Sequence, residues 1–173
     1  TLLAGLAEQL RSAEAARRPI QALTDQAADL TLAEAYHVQR INLEQRLAQG
    51  EHLVGRKIGL TSKAMQEQLG VDQPDVGAIT DRMMVSNEGR ADTSEFISPR
   101  VEAELAFRLA EDLDESVTIE SVRASIGTVM LAAEIIDSRI RDWKIKLIDT
   151  VADNASSAAV VFGPETPATA ELL

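Results

Sequence analysis

Apolar positions near the N-terminus recur at helical spacing, with Leu3, Leu6, Ala7 and Leu10 on one face of a 3.6-residue repeat. Thr31-Leu32-Ala33-Glu34 has the form of a capping box, in which the threonine hydroxyl and the glutamate carboxylate each satisfy a free backbone N–H of the first turn. It opens a second helical segment that Gly50 can stop. From His52 to Leu60 the pattern changes to that of a strand, and Thr61 or Ser62 then caps a short helix ended by Gly70. Pro74-Asp75-Val76-Gly77 predicts a turn, 78–85 a short strand and 86–95 a polar loop.

The clearest alternation is Pro99-Arg100-Val101-Glu102-Ala103-Glu104-Leu105-Ala106-Phe107. Its odd positions are apolar, so a period of two sends them to one side of a sheet and Glu102 and Glu104 to the other. Side chains two apart on a strand are roughly 7 Å from each other. An acid-rich turn over 111–115 follows, then a helix from about Thr118 whose stripe is Ile119, Val122, Ile126 and Val129. Glu134 sits in the strand-like run Leu131-Ala132-Ala133-Glu134-Ile135-Ile136. Residues 137–154 are dense in charge, hold the only Trp (Trp143), and are ambiguous between helix and strand in their middle. Residues 158–163 predict another strand and the Pro/Thr/Ala-rich tail a loop. The order of elements predicts an α+β chain, with a helical segment over 1–50 and a strand-rich domain over 51–173.

Composition narrows the function. At 173 residues with 45% hydrophobic content the chain fits one domain with a real core. A formal net charge of −11 with no Lys/Arg block argues against a nucleic-acid surface. No cysteine is present, which removes disulfides and thiolate metal sites and fits a reducing compartment. The apolar runs are far short of the roughly 18 residues that a membrane span needs, and the N-terminus lacks the form of a signal peptide. The expectation is a soluble, cytoplasmic protein that uses neither membrane nor nucleic acid.

Two paired carboxylates in a half-buried place are unfavourable without a counter-charge, and a bound divalent cation resolves that conflict. Carboxylates without a convincing His or Cys partner form a hard oxygen site, suited to Mg²⁺ or Mn²⁺ and not to Zn²⁺ or copper, while ligand type alone leaves Ca²⁺ open. Spacing alone equally allows Glu102 and Glu104 to decorate a solvent-facing sheet and Glu134 to end a helix. In Val54-Gly55-Arg56-Lys57-Ile58-Gly59-Leu60, Lys57 is flanked on its own strand face by Gly55 and Gly59. Glycine in a strand often marks close approach of a ligand, so Lys57 is placed to face an anionic substrate, the plainer reading being an exposed lysine on a flexible edge. Asp75 is a candidate general acid/base, although aspartate is also a good turn former. Asp153-Asn154-Ala155-Ser156-Ser157 offers hydrogen-bonding groups or simply a loop. His37 and His52 have no partner pattern and read as structural. No Gly-rich phosphate loop, nucleophile elbow or Ser/His/Asp arrangement is evident.

Four segments taken together carry a family resemblance: 55–62 around Gly-Arg-Lys-Ile-Gly, 69–77 with Pro-Asp-Val-Gly, 99–107 with Glu-Ala-Glu, and 137–156 from Asp-Ser-Arg-Ile-Arg-Asp-Trp to Asp-Asn-Ala-Ser. In this order and over nearly the whole chain they resemble the 2-keto-4-pentenoate hydratase group of the fumarylacetoacetate hydrolase superfamily. The resemblance implies a mixed β-roll after the N-terminal helices and a divalent Mg or Mn ion held by residues matching Glu102, Glu104 and Glu134. It also implies an active-site lysine at Lys57, an aspartate at Asp75 and a serine at Ser156. Two departures touch substrate shape: the proline common before the third glutamate is missing, and Ser157-Ala158 stands where Cys-Gly is frequent. Relatives continue past Leu173, so the chain looks truncated after its last strand, which predicts poor autonomous stability or order that depends on assembly.

The implied activity is metal-dependent hydration of 2-hydroxypenta-2,4-dienoate to 4-hydroxy-2-oxopentanoate in aromatic catabolism. The motifs do not separate it from 4-oxalocrotonate decarboxylation, which also stabilises an enolate. A rival of another class is a catalytically silent scaffold in a hydratase–decarboxylase complex. The resemblance further implies a homo-oligomer and leaves room for a complex with a related decarboxylase or a downstream aldolase.

Overall fold

The computed structural model describes residues 1–169, 171 and 172; Ala170 and Leu173, in the tail expected to be a loop, lie outside the described residues. Three helices come first: α1 (Leu2–Ala16), the single-turn α2 (Leu23–Gln26) and α3 (Leu32–Ala48). The capping box at Thr31 forms as expected. Glu34 Oε2 accepts from Thr31 N at 2.9 Å and the Thr31 hydroxyl accepts from Glu34 N at 3.3 Å. Leu6, Ala7 and Leu10 of the helical stripe are buried together with Leu23, Ala35 and Val38. This core is completed from far along the chain by Ile140, Val151 and Ala152. The helices therefore pack on the segment that follows the sheet, and Ile20 is bridged in parallel to Ile140.

Two sheets follow. β1 (Leu53–Gly59) and β2 (Asp75–Thr80) form an antiparallel ribbon, joined through α4 (Lys63–Leu69). Ser62, not Thr61, caps α4 by accepting from Met65 N at 3.2 Å, and Gly70 ends it at φ +67°. The second sheet has five strands: β3 (Met84–Val85), β4 (Arg100–Leu109), β5 (Ile126–Ile136), β6 (Ser157–Phe162) and β7 (Thr166–Pro167). Its order is β3-β6-β5-β4, with β7 also on β5; β3 and β6 run parallel and the other pairs antiparallel, so the sheet is mixed. A second, smaller core of Ile79, Met83 and Val160 lies where β2 meets β6. The remaining helices are α5 (Ile119–Ser125) and α6 (Leu147–Ala152).

Four local expectations are corrected. Asp75 does not sit in a turn: it starts β2, and the expected 78–85 strand is divided by a 3₁₀ turn over Asp81–Met83. The helix from Thr118 stops at Ser125, and Ile126 and Val129 belong to β5. Gly127, Thr128 and Val129 are poor helix formers, and pairing with β4 settles their conformation. The ambiguous 137–154 stretch resolves into a 3₁₀ turn at Arg141–Trp143 and then α6. The tail contributes β7 instead of remaining wholly a loop.

Among the described residues, no helix is long and apolar enough to cross a membrane.

Candidate functional site

The alternation in β4 is realised, and the sheet register adds what the sequence could not show. β4 and β5 pair without interruption from Arg100↔Ile136 to Arg108↔Thr128, which sets Glu102 directly across from Glu134. Glu104 is one pleat further on the same face. Each of the three offers one carboxylate oxygen, and those atoms all lie within 4.8 Å of one another; among the described residues this is the one such acid group. Glu102 and Glu104 are exposed and Glu134 is buried at 4%.

Glu134 records the cost of this arrangement. Burial pushes its carboxyl above the ordinary carboxylate range, against the pull of Lys57, and its Oε1 is buried without a partner. A buried oxygen left unpaired in a cluster of like charges is the condition that a hard divalent cation relieves, and three carboxylates are the donor set such a cation takes. The residues fit the group.

Lys57 reaches this cluster from the other sheet. Its Nζ lies 3.4 Å from Glu134 Oε2 and donates to the Ala155 carbonyl at 3.1 Å. Across the β1–β2 ribbon Lys57 pairs with Gly77, and Gly59 pairs with Asp75, so each of these two candidate side chains lies over a glycine of the opposite strand. A Cβ on Gly59 would collide with Asp75 Oδ1, and one on Gly77 would come within 2.7 Å of the Asn154 carbonyl and 3.0 Å of Lys57 Cγ. Gly55, by contrast, faces open space. Of the two glycines that flank Lys57 on its own strand, only Gly59 shapes the site.

Asp75 is 3% exposed. Burial raises its carboxyl above the usual range, Lys57 opposes that, and Oδ1 has no hydrogen-bond partner. Ser156 is buried, with its Oγ 3.2 Å from Thr150 Oγ1. It ends a run of three residues in the left-handed region: Asn154 at φ +57°, Ala155 at +51° and Ser156 at +54°. Such backbone costs of order 1–3 kcal/mol per residue and persists only where surrounding contacts dictate it. Here the Asn154 side chain supplies them, accepting from Ala78 N at 2.7 Å and donating to Ala78 O at 2.9 Å. The turn so fixed aims the Ala155 carbonyl at Lys57 and the Ser156 hydroxyl at Thr150.

Sequence reasoning missed the Ala155 carbonyl, Thr150 and Gly77. A backbone carbonyl leaves no residue signature, and Thr150 and Gly77 meet the site only through the tertiary pairing. It also left Asp137, Arg139 and Asp149 without a role, and offered Asp153 only as a hydrogen-bonding group or part of a loop. Asp137 accepts from Ile97 N and Ser98 N at 2.8 and 2.6 Å and so anchors the lead-in to β4. Asp153 is buried against Arg139 at 2.6 Å, and Asp149 ties α2 to α6 through Thr24. His37 lies exposed on α3, and His52 contacts Asp81 at 3.1 Å; neither approaches the acid trio.

Over 167 residues the chain is 45% identical to a 2-hydroxypent-2,4-dienoate hydratase of Pseudomonas putida, covering 95% of this chain and 75% of that protein. It is 46% identical over 158 residues to a 2-keto-4-pentenoate hydratase of Paraburkholderia xenovorans (strain LB400), covering 91% and 59% respectively. Among solved structures, 4-oxalocrotonate decarboxylase from Pseudomonas putida G7, complexed with magnesium and adipate, matches with a TM-score of 0.91 at 36% identity over 96% of this chain and 64% of that one. The same enzyme complexed with calcium and acetate gives 0.88 at 35% identity. The chain thus spans three quarters of the first of these hydratases and about three fifths of the second. No family model matches it.

Proposed function

The chain belongs to the 2-keto-4-pentenoate hydratase family, and from that premise we propose that it is a lyase adding water to 2-hydroxypenta-2,4-dienoate to give 4-hydroxy-2-oxopentanoate in the breakdown of aromatic compounds. The observation that carries the reading is the cross-strand pairing of Glu102 with Glu134, with Glu104 beside them and the ammonium of Lys57 against the buried member. Glu102, Glu104 and Glu134 would hold Mg²⁺ or Mn²⁺. When bound, the ion supplies Lewis acidity for the 2-oxygen and carboxylate of a 2-oxo acid. We read the two sheets as part of a mixed β-roll of the fumarylacetoacetate hydrolase type.

Three carboxylates and a divalent ion sum to about −1, so an anionic substrate needs a further cation close by, and Lys57 provides it. Net hydration forms a bond from water oxygen to C4; the two protons released, one from that water and one from the 2-hydroxyl, are matched by one proton delivered to C5 and one to C3. Asp75 is the group to hold and move a proton, because a carboxyl with a raised pKa carries one closer to neutral pH than an ordinary aspartate. Ser156, set by its contact with Thr150, orients the substrate.

The test is turnover of the dienoate by purified protein with and without Mg²⁺ or Mn²⁺, for the wild type and Glu104→Gln. The variant is expected to lose metal affinity and turnover together; retention of both rejects the ligand assignment. Decarboxylation of 4-oxalocrotonate is a second reading, favoured by the high TM-score to that enzyme. Offering both substrates and following CO₂ release against loss of the diene absorbance separates the two. A catalytically silent partner in a hydratase–decarboxylase complex predicts turnover of neither. Homo-oligomerisation is also part of the proposal, supported by an apolar sheet face left open to solvent on β4 and β5.

A further inference from the structure

We infer that Arg100, stacked on Trp143, receives a carboxylate of the substrate beside the acid trio, an assignment that rests on the 2-oxo-acid reading above. The unbroken β4–β5 register from Arg100 onward puts Arg100 on the same face as Glu102 and Glu104. It lies one pleat, about 7 Å, from Glu102. Arg100 Cζ lies 4.2 Å from the centroid of the Trp143 ring, a cation–π contact.

The ring is itself fixed. Its Nε1 donates to the Ser98 carbonyl at 3.0 Å, and Ser98 N donates to buried Asp137 at 2.6 Å. The backbone that presents the ring is bent into the left-handed region at Asp142 (φ +57°) and Trp143 (φ +55°), a conformation unusual for an aromatic residue. A strained turn, an indole hydrogen bond and a buried aspartate thus converge on holding one exposed guanidinium in place.

That guanidinium is paired with no acid among the described residues. Among the described residues Arg100 forms no ion pair and no side-chain hydrogen bond, in a chain with 28 acidic against 17 basic side chains. Stacking occupies the face of an arginine and leaves its in-plane N–H donors free, in the fork geometry that matches a carboxylate. The result is a pre-oriented carboxylate receptor next to a site built for an acid. Either of two carboxylates satisfies this chemistry: that of the 2-oxo acid itself, or a second one at the far end of a dicarboxylic substrate.

Calorimetric titration of the Mg²⁺-loaded chain with pyruvate, which has one carboxylate, and 2-oxoglutarate, which has two, tests the inference. Arg100→Gln is expected to weaken binding about 10- to 100-fold, the usual worth of a charge-assisted hydrogen bond. Arg100→Lys, which keeps the charge and loses the fork, is expected to fall between. Mg²⁺ affinity should be the same in all three proteins, and Trp143, the only tryptophan, should change its fluorescence on acid binding in the wild type. A loss for both acids assigns Arg100 to the 2-oxo acid's own carboxylate; a loss for 2-oxoglutarate alone assigns it to the distal one. Unchanged affinity for both acids in Arg100→Gln overturns the inference and leaves the hydratase reading standing. Failure of the wild type to bind either acid takes down both.

Discussion

At the scale of single residues the site is a set of side chains placed over glycines. Lys57 and Asp75 are diagonal neighbours on one face of the β1–β2 ribbon, and the residues opposite them, Gly77 and Gly59, leave the volume they occupy. Gly59→Ala is expected to displace the Asp75 carboxylate, lowering turnover at least tenfold while the far-UV circular dichroism stays that of the wild type; unchanged turnover would mean that Asp75 has no fixed role. Asp75 also predicts a pH dependence. Its pKa is raised in the folded chain by burial, against Lys57. The folded state therefore binds this proton more tightly than the unfolded one. The stability it contributes is complete below the unfolded value of about 3.9 and is lost as pH rises through the raised folded value. Asp75→Asn, neutral throughout, should unfold at a higher temperature than wild type at pH 7, with the gap closing as pH is lowered toward 4, and should lose activity. A variant less stable than wild type at pH 7 would show that the ionised carboxylate is well solvated or paired.

Between elements, the connection from α6 to β6 is where backbone strain meets the candidate site. Asn154 makes two hydrogen bonds to Ala78 and starts three left-handed residues. Asn154→Ala should lose about 1–3 kcal/mol, since it removes those bonds and leaves a residue that tolerates the conformation poorly. Asn154→Gly, which also lacks the side chain but accepts a positive φ, should lose less. Equal losses in denaturant titrations would assign the whole effect to the side-chain bonds. The helical core makes a second prediction: Leu23 is fully buried in a single-turn helix, and Leu23→Ala should cost about 2–5 kcal/mol. These elements also show what was legible beforehand. The Thr31 capping box, the Ser62 and Gly70 caps of α4 and the alternation around Glu102 are local patterns, each determined within a few residues, and the structure contains them. The pairing of Glu102 with Glu134 is not local, since it depends on the register of strands about thirty residues apart. Asp75 was misread because Pro-Asp-x-Gly has turn propensity, which the β1 partner overrides. The stripe through Ile126 and Val129 failed for the same reason, because β4 pairs with those residues and no helix can.

For the molecule as a whole, the two faces of the β4–β5 pair have opposite characters. The even positions carry Arg100, Glu102 and Glu104 and, across on β5, buried Met130, Glu134 and Ile136. The odd face is apolar and lies in solvent: Val101 is 71% exposed, Leu105 60%, Phe107 48% and Leu131 75%. The alternation that marked the acid-bearing face thus also made a hydrophobic surface that lies open among the described residues. Leu105 and Leu131 are direct cross-strand partners, with Phe107 two residues to one side of Leu105 and exposed Ala103 and then Val101 two and four residues to the other, so the patch is contiguous. A contiguous apolar face of this kind is unusual on a monomer, and the homo-oligomer proposed above would bury it against another copy, a stable contact needing about 800 Å² from each partner. Sedimentation velocity is expected to show self-association at micromolar concentration. The double variant Leu105→Lys with Leu131→Lys should shift the distribution to the monomer, because burying two ammonium groups opposite their own copies is strongly unfavourable. Both positions point away from the acid trio, so Mg²⁺ affinity should be retained by that monomer. A wild type that sediments as a monomer at all concentrations would show that this face stays open, and loss of metal binding in the double variant would show that the two faces are not independent.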